Sequence, residues 1–366
     1  MIHVSKYQIF TLMTVFQLGS TIIFGFAADA GRNAWISTLI SSVLGMCIVL
    51  LYWSIFHLSG GLSLVEWCPA LLGKWIGIPL AWLFPLVFLY DSARIVSDIR
   101  FLFPITILHG TPNWLIAITF LLVILYVLFS GYEVLARMSG FFFPLILLSL
   151  LLEIVLLFFS GRIHLPNLLP VLGEGWGKVW QTVWPSGLMQ TYGESIEFAM
   201  FWGFVAQKKQ LPFTVAGACI LSGLCITLLD VLAITGMGEH VFQQMMYPSF
   251  ALLKLSNVVD LLENLDAIGV SYLTLTAFTK LTLHLFAAVY CIRKLLAAAG
   301  DKAIILTSVV VAFFVSMTMV VSFNGHLEVA TTVLPQRLWL PLFLYLPAVL
   351  FLMACVKQKR RSAQHD

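Results

Sequence analysis

Long apolar runs recur along the whole chain, and they leave one kind of fold open. Crossing ~30 Å of hydrocarbon at 1.5 Å per residue takes about 20 apolar residues. This chain meets that demand roughly ten times, from end to end. Its residues are 60% hydrophobic and only 10% charged, where a water-soluble domain carries roughly 25% charged residues. Too little polar surface remains to cover a soluble globule, so lipid is the solvent. The fold class is an all-α, multi-pass membrane protein in which 1–366 form one transmembrane domain. The first run, from Tyr7 to about Ala28, is too long for a signal-peptide core. No small-residue cleavage site follows it, so it reads as a retained helix.

The spacing predicts helices near 7–28, 33–56, 77–107, 113–130, 138–160, 179–206, 211–237, 268–291, 303–322 and 338–356. Turn chemistry separates them, as in Ser59-Gly60-Gly61, Gly110 to Asn113 and Gly161 to Asn167. With the N-terminus inside, inner segments collect Lys6, Lys74, Arg137, Lys208, Lys209, Arg293, Lys294, Lys302 and the Lys357-Gln358-Lys359-Arg360-Arg361 run. Outer segments hold Arg32, Arg162, Lys178, Lys254 and Arg337. This bias follows the positive-inside rule and puts both termini in the cytoplasm. The C-terminal basic run reads as a stop-transfer and headgroup anchor, not as a nucleic-acid patch. None of the six cysteines falls in an outer loop on this topology, so no disulfides are expected. No metal spacing, nucleophile elbow or phosphate loop is present in the sequence, which argues against an enzyme and against a cofactor. One outer segment, 240–266, alternates apolar residues with Lys254, Asp260, Glu263 and Asp266. It is an amphipathic helix lying on the outer face, or a docking surface or gate.

Charges at bilayer depth cost about 2.5–3.5 kcal/mol each even on mild scales, so they face the bundle interior. The third span carries Tyr90, Asp91, Arg94, Asp98 and Arg100. Asp91 with Arg94 and Arg94 with Asp98 are three and four residues apart and share a helix face. They either neutralise one another or serve gating or ligand binding, with Tyr90 beside them. The sixth span sets Glu194 and Glu197 among Pro185, Gly187, Gly193 and Gly203, which predicts a discontinuous helix. The first span carries Gly19-Ser20-Thr21 and Gly25 near its middle and outer half. Interrupted segments at corresponding positions of two five-helix halves point to a transporter binding site. Here the halves are 7–160 and a second repeat over 179–322, or 179–356 with the last helix. The eighth span holds Thr276, Thr279, Lys280 and His284, and its mid-span lysine either finds interior partners, loses its proton or snorkels over a long reach to an interface. His284 reads as a packing or hydrogen-bonding residue.

At these residues a family resemblance emerges. Phe16-Gln17-Leu18-Gly19-Ser20 through Asn33-Ala34-Trp35 resembles the first helix and turn of spore germination permeases. Leu72-Gly73-Lys74-Trp75, then Tyr90, Ala93-Arg94 and Asp98, follow in the family's order. So do Glu133-Val134-Leu135-Ala136-Arg137, Phe143-Pro144, Gly193-Glu194-Ser195, and Leu265-Asp266-Ala267-Ile268-Gly269 to Phe278 and Lys280. These permeases are the B subunits of GerA-type germinant receptors, within the amino acid–polyamine–organocation superfamily. The resemblance implies a five-plus-five inverted repeat and an amino-acid-like germinant bound at the bilayer midplane. It also implies partnership with a membrane A subunit and a lipoprotein C subunit in the spore inner membrane. On this reading Gly19, Ser20, Gly25, Tyr90, Gly193, Glu194, Ser195, Thr276 and Thr279 are the ligand-binding candidates. Arg94, Asp98, Glu197 and Lys280 are ion-like or gating groups, with the Lys280 ammonium standing where sodium-coupled relatives hold a cation. The alternative is a proton-coupled amino acid transporter with Glu194, Glu197 or Lys280 as proton carrier.

Overall fold

The computed structural model describes residues 3–19, 21–245, 248, 251–252, 266–319 and 323–362. Those residues form helices joined by turns, and their single β-type contact is a parallel bridge between Val4 and Val205. Among the described residues, seven helices are long and apolar enough to cross a membrane. A shorter apolar helix, Lys302–Thr318, and two interrupted ones complete the ten spans.

The unbroken spans follow the hydrophobic pattern closely. The second is Ala34–Leu58, the third Lys74–Thr106 and the fourth Asn113–Ser130. The fifth is Tyr132–Phe159, the seventh Leu211–Met237 and the eighth Asp266–Leu295. The eighth span is the axis of the bundle: 83% of its most apolar window is buried, against 22% for the fifth. A buried helix can carry polar residues on every side because each has protein beside it. That is why Thr276, Thr279, Lys280, Thr282 and His284 are all tolerated there.

Three boundaries differ from the sequence reading. The fifth span starts at Tyr132, six residues before the expected 138, because Gly131 turns at φ 96° and lets the helix begin at once. The 2–3 connection, expected as a loop, contains the helix Leu64–Leu72, closed by a capping box between Ser63 and Glu66. The tenth span was expected from 338, but helix already runs through Phe323–Glu328, Val329–Val333 and Pro335–Tyr345 before Leu346–Ser362. Its first part mixes polar residues with wide, π-type turns, which hide a 3.6-residue period. Most of the amphipathic 240–266 segment lies outside the described residues; at its start, Glu239–Gln244 forms a short helix.

The first and sixth spans are broken. The first stops at Leu18, and Gly19 turns the chain at φ 36°, ψ −132° before the short helix Thr21–Phe24. The sixth runs as Trp176–Thr182, leaves helical geometry at Trp184 and resumes as Leu188–Thr191. It then tightens into the 3₁₀ helix Gly193–Met200. A 3₁₀ stretch of that length inside a span marks strain, held here by neighbours on all sides. Every residue of Gly193–Met200 is buried.

The two broken spans are tied at the end of the bundle where the first helix begins and the last one ends, called here the terminal face. Val4 N–H donates to the Phe204 carbonyl (3.1 Å), and Ala206 N–H donates to the Val4 carbonyl (3.2 Å). At the same face Lys357 Nζ donates to the Ala70 carbonyl (3.0 Å).

Candidate functional site

The two breaks bring polar groups to the middle of the bundle. Gln17, in the last turn before the first break, donates from Nε2 to Ser195 Oγ (3.1 Å) and accepts from Ser222 Oγ (2.7 Å). It thus joins the first, sixth and seventh spans. The carbonyl of Gly19, freed by the break, accepts from Thr276 Oγ1 on the eighth span (2.9 Å). The carbonyl of Gly193 accepts from Tyr52 Oη of the second span (3.2 Å), and the same hydroxyl donates to Phe343 of the tenth. Backbone groups lost to the helix ladder are therefore satisfied by side chains, as the bilayer requires.

Lys280 crosses this gap. Its alkyl stem runs beside Gly19, where an added Cβ would stand 2.5 Å from Lys280 Cδ. Together with the positive φ, that contact leaves room only for glycine. The ammonium lies 2.5 Å from Glu194 Oε2 and 3.4 Å from the Gln190 carbonyl, and sits over the Phe16 ring at 5.4 Å. Lys280 and Glu194 are both buried. Glu194 is also 3.9 Å from His284 Nε2, whose Nδ1 is hydrogen-bonded to Glu197. His284 and Glu197 are entirely without exposure.

Among the described residues no ion pair joins Asp91, Arg94 and Asp98. They reach across to the tenth span instead. Asp91 accepts from Trp339 Nε1 (3.3 Å to each oxygen), Arg94 lies over the Trp339 ring (5.2 Å), and Asp98 pairs with His326 Nε2 (2.7 Å). Spacing of three and four residues allows a pair on one helix, but a buried indole and imidazole on a facing helix offer better desolvated partners.

Asp91, Arg94, Ile95, Asp98, Gln190, Glu194, Lys280 and His284 line one cavity. It leaves about 10 Å³ for the centre of a water molecule, about what one water needs. The site is therefore closed around its own side chains. A far larger cleft of about 600 Å³ opens at the terminal face, walled by Ala199, Met200 and Gly203 of the sixth span and Tyr290, Arg293 and Lys294 of the eighth.

Of the residues singled out in the sequence, Gly19, Gly193, Glu194, Ser195, Glu197, Thr276 and Lys280 meet at or beside the breaks, and Arg94 and Asp98 line the cavity. Ser195 and Thr276 are already engaged with Gln17 and Gly19. Thr279 bonds back to the Leu275 carbonyl of its own helix (2.8 Å). Gly25 lies toward the opposite face, where an added Cβ would meet Pro248 at 2.9 Å. Tyr90 is half-buried and is not part of the cavity wall. Ser20 lies outside the described residues. Sequence reading missed Gln190, Trp339 and His326, and gave His284 no special place. A histidine one turn from a mid-span lysine was the one available signal. No cluster of metal-holding side chains occurs among the described residues.

On the face away from the termini, Arg32 pairs with Glu239 and also donates to the Leu169 carbonyl. Its Nε is 2.7 Å from Glu239 Oε2. The Arg32 hydrogen bond holds the Glu239 carboxyl below its ordinary range, and the same bond raises the guanidinium.

Ten spans with the first and sixth broken at a closed polar centre define the architecture of a secondary transporter. Solved structures share it. The nucleobase-cation-symport-1 transporter Mhp1, closed on bromovinylhydantoin, superposes with a TM-score of 0.65 over 90% of this chain and 75% of its own, at 13% identity. A Na⁺-coupled sialic acid symporter gives 0.65 over 99% and 90%, at 11% identity. MhsT in complex with L-phenylalanine gives 0.59 over 96% and 98%, at 12% identity. The chain belongs to the spore permease family of spore germination proteins, whose model matches residues 3–324. It is 27% identical to spore germination protein KB of Bacillus subtilis over 360 residues, 98% of this chain and 96% of that one. It is 22% identical to spore germination protein GerQB of Bacillus cereus over 98% of both chains.

Proposed function

We propose that this chain is the ligand-sensing membrane subunit of a spore germinant receptor, and that its ligand is a small amino-acid-like zwitterion. The observation that carries this reading is the buried Lys280–Glu194 pair, set between the two helix breaks in a cavity with no spare room. An ammonium and a carboxylate 2.5 Å apart are the two halves of a zwitterion's own recognition chemistry. A ligand amine would replace Lys280 at Glu194, and a ligand carboxylate would take Lys280. Opening the breaks admits the ligand, and its preference for the closed state shifts the population. Gly19 and Gly193 give the backbone at the breaks, Arg94 and Asp98 the wall toward the tenth span.

The structural neighbours named for cation or Na⁺ coupling suggest the role of Lys280. Its ammonium is a fixed charge between the first, sixth and eighth spans, in place of a dissociable ion. Ligand binding is then independent of sodium, and sodium-dependent binding to the wild-type chain would refute this. The bundle sits in the spore inner membrane with its terminal face to the cytoplasm, beside an A subunit and a lipoprotein C subunit. It performs no catalysis. The deciding experiment is the germination dose–response of spores carrying Glu194→Gln or Lys280→Met. Loss of response with the chain still present in the membrane supports the site, and unchanged curves remove it. The cleft at the terminal face supports a second reading, a proton-coupled transporter with that cleft as its inner mouth. Saturable, gradient-dependent amino acid uptake by the isolated chain in proteoliposomes would favour it.

A further inference from the structure

The buried cluster contains more acid than its lasting cations can balance. Asp91, Asp98, Glu194 and Glu197 face Arg94 and Lys280, and all six are at most 8% exposed. Four carboxylates against two cations would leave a double negative charge at bilayer depth, and each uncompensated charge there costs several kcal/mol. Two histidines correct the sum, each hydrogen-bonded to a carboxylate: His284 to Glu197 and His326 to Asp98. A His–carboxylate pair holding one proton is neutral whether that proton rests on the ring or on the carboxyl. The remaining Asp91, Glu194, Arg94 and Lys280 then cancel.

The two pairs are placed differently. His284 stands against the proposed ligand site through Nε2, 3.9 Å from Glu194 Oε2. Around it are Lys280 of its own helix, Glu194 and Glu197 of the sixth span, and Asp91, Arg94 and Asp98 of the third, with Cys291 near Glu197. From the first span the Phe16 ring lies 5.3 Å away. Ala199 and Met200, a turn or less beyond Glu197, form a wall of the 600 Å³ cleft.

We infer that His284 and Glu197 form a binding site for a single exchangeable proton, which acts as a co-ligand of the neighbouring Glu194–Lys280 site. With the proton bound, Lys280 has one carboxylate partner and can turn to a ligand carboxylate. With the proton lost to the cleft, Glu197 adds a second negative charge beside Glu194. Lys280 is then held by two acids, and a ligand carboxylate finds a more negative cavity. Ligand affinity therefore falls as the pair deprotonates. The proton site stands on the geometry alone; its coupling to a ligand rests on the function proposed above.

The test uses the full chain in nanodiscs. Infrared difference spectra and histidine-selective ¹⁵N NMR are recorded across about pH 5 to 8, the range of histidine switches. Among the changes recorded, the wild type should show one protonation change that vanishes in both His284→Gln and the near-isosteric Glu197→Gln, and persists in His326→Gln. Absence of such a change, or its survival in either of the first two variants, overturns the proton site. In a second arm, an equimolar mixture of the standard L-amino acids is added and the thermal shift is read at both ends of that range. The shift should be larger at low pH in the wild type and equal at both ends in Glu197→Gln. An identical pH dependence in the two proteins overturns the coupling. No shift at any pH overturns the amino-acid reading of the ligand while the spectroscopic arm still decides the proton site.

Discussion

Two ion pairs, one in the middle of the bundle and one on the face away from the termini, do opposite things with similar chemistry. Lys280–Glu194 is buried and set on broken backbone, whereas Arg32–Glu239 is partly exposed and set between connecting segments. A buried pair is seldom the most stable filling for its space, because desolvation offsets the attraction. Its persistence at a helix break speaks for recognition more than for stability. A partly exposed pair has little desolvation to recover and little to give, about 0–1 kcal/mol. The comparison says where a charge deletion should hurt, and by how much.

The largest effect is expected from Lys280→Met, which leaves Glu194 unpartnered. It should cost about 3–5 kcal/mol, read as a drop in melting temperature of the purified chain. Replacing both partners, Lys280→Met with Glu194→Gln, should recover much of that stability and none of the ligand response. Recovery of response would break the distinction between the two pairs. Gly19→Ala comes next, because its φ of 36° and the Lys280 stem both oppose a side chain. About 1–3 kcal/mol is expected for that backbone strain, together with loss of response. Tyr52→Phe removes the hydroxyl that serves the Gly193 and Phe343 carbonyls, and about 1–3 kcal/mol should follow from leaving buried carbonyls unpaired.

Arg32→Gln should be the mildest, about 0–1 kcal/mol at neutral pH and less in high salt. Its pH dependence has a defined sign. Because Arg32 holds the Glu239 carboxyl below its ordinary value, the stabilisation is full above that ordinary value. It is lost as pH falls through the depressed one. Wild type and variant should therefore converge in melting temperature on acidification. A gap that widens toward acid would show that the pair does not act through Glu239.

Much of the fold was legible because lipid imposes one rule on every span, and the residues that break the rule stand out. Glu194, Glu197 and Lys280 were visible as charges where none is cheap. Gly19 and Gly193 were visible as breaks in otherwise continuous runs. What stayed hidden depends on facing surfaces. Arg94 and Asp98 satisfied a local spacing rule, so nothing in the sequence showed that Trp339 and His326 receive them. Both lie in or near the wide-turned part of the tenth span, where periodicity fails. His284 is one turn from Lys280, but only the fold turns its ring toward Glu197. Thr279 donates its hydroxyl to the Leu275 carbonyl of its own helix, a contact that spacing allows but does not announce.

The short bridge at Val4 and Val205 has a mechanical consequence. Two backbone hydrogen bonds clip the start of the first span to the end of the sixth, and each span carries its own break. With that clip in place the two segments would turn as one crank on two bearings, not as two independent flaps. A turn at Gly19 would then carry the chain beyond Met200 with it, and so move the loop that runs from Val205 to Gln210. A neighbouring protein seated on that loop would register a change made at the breaks without touching them.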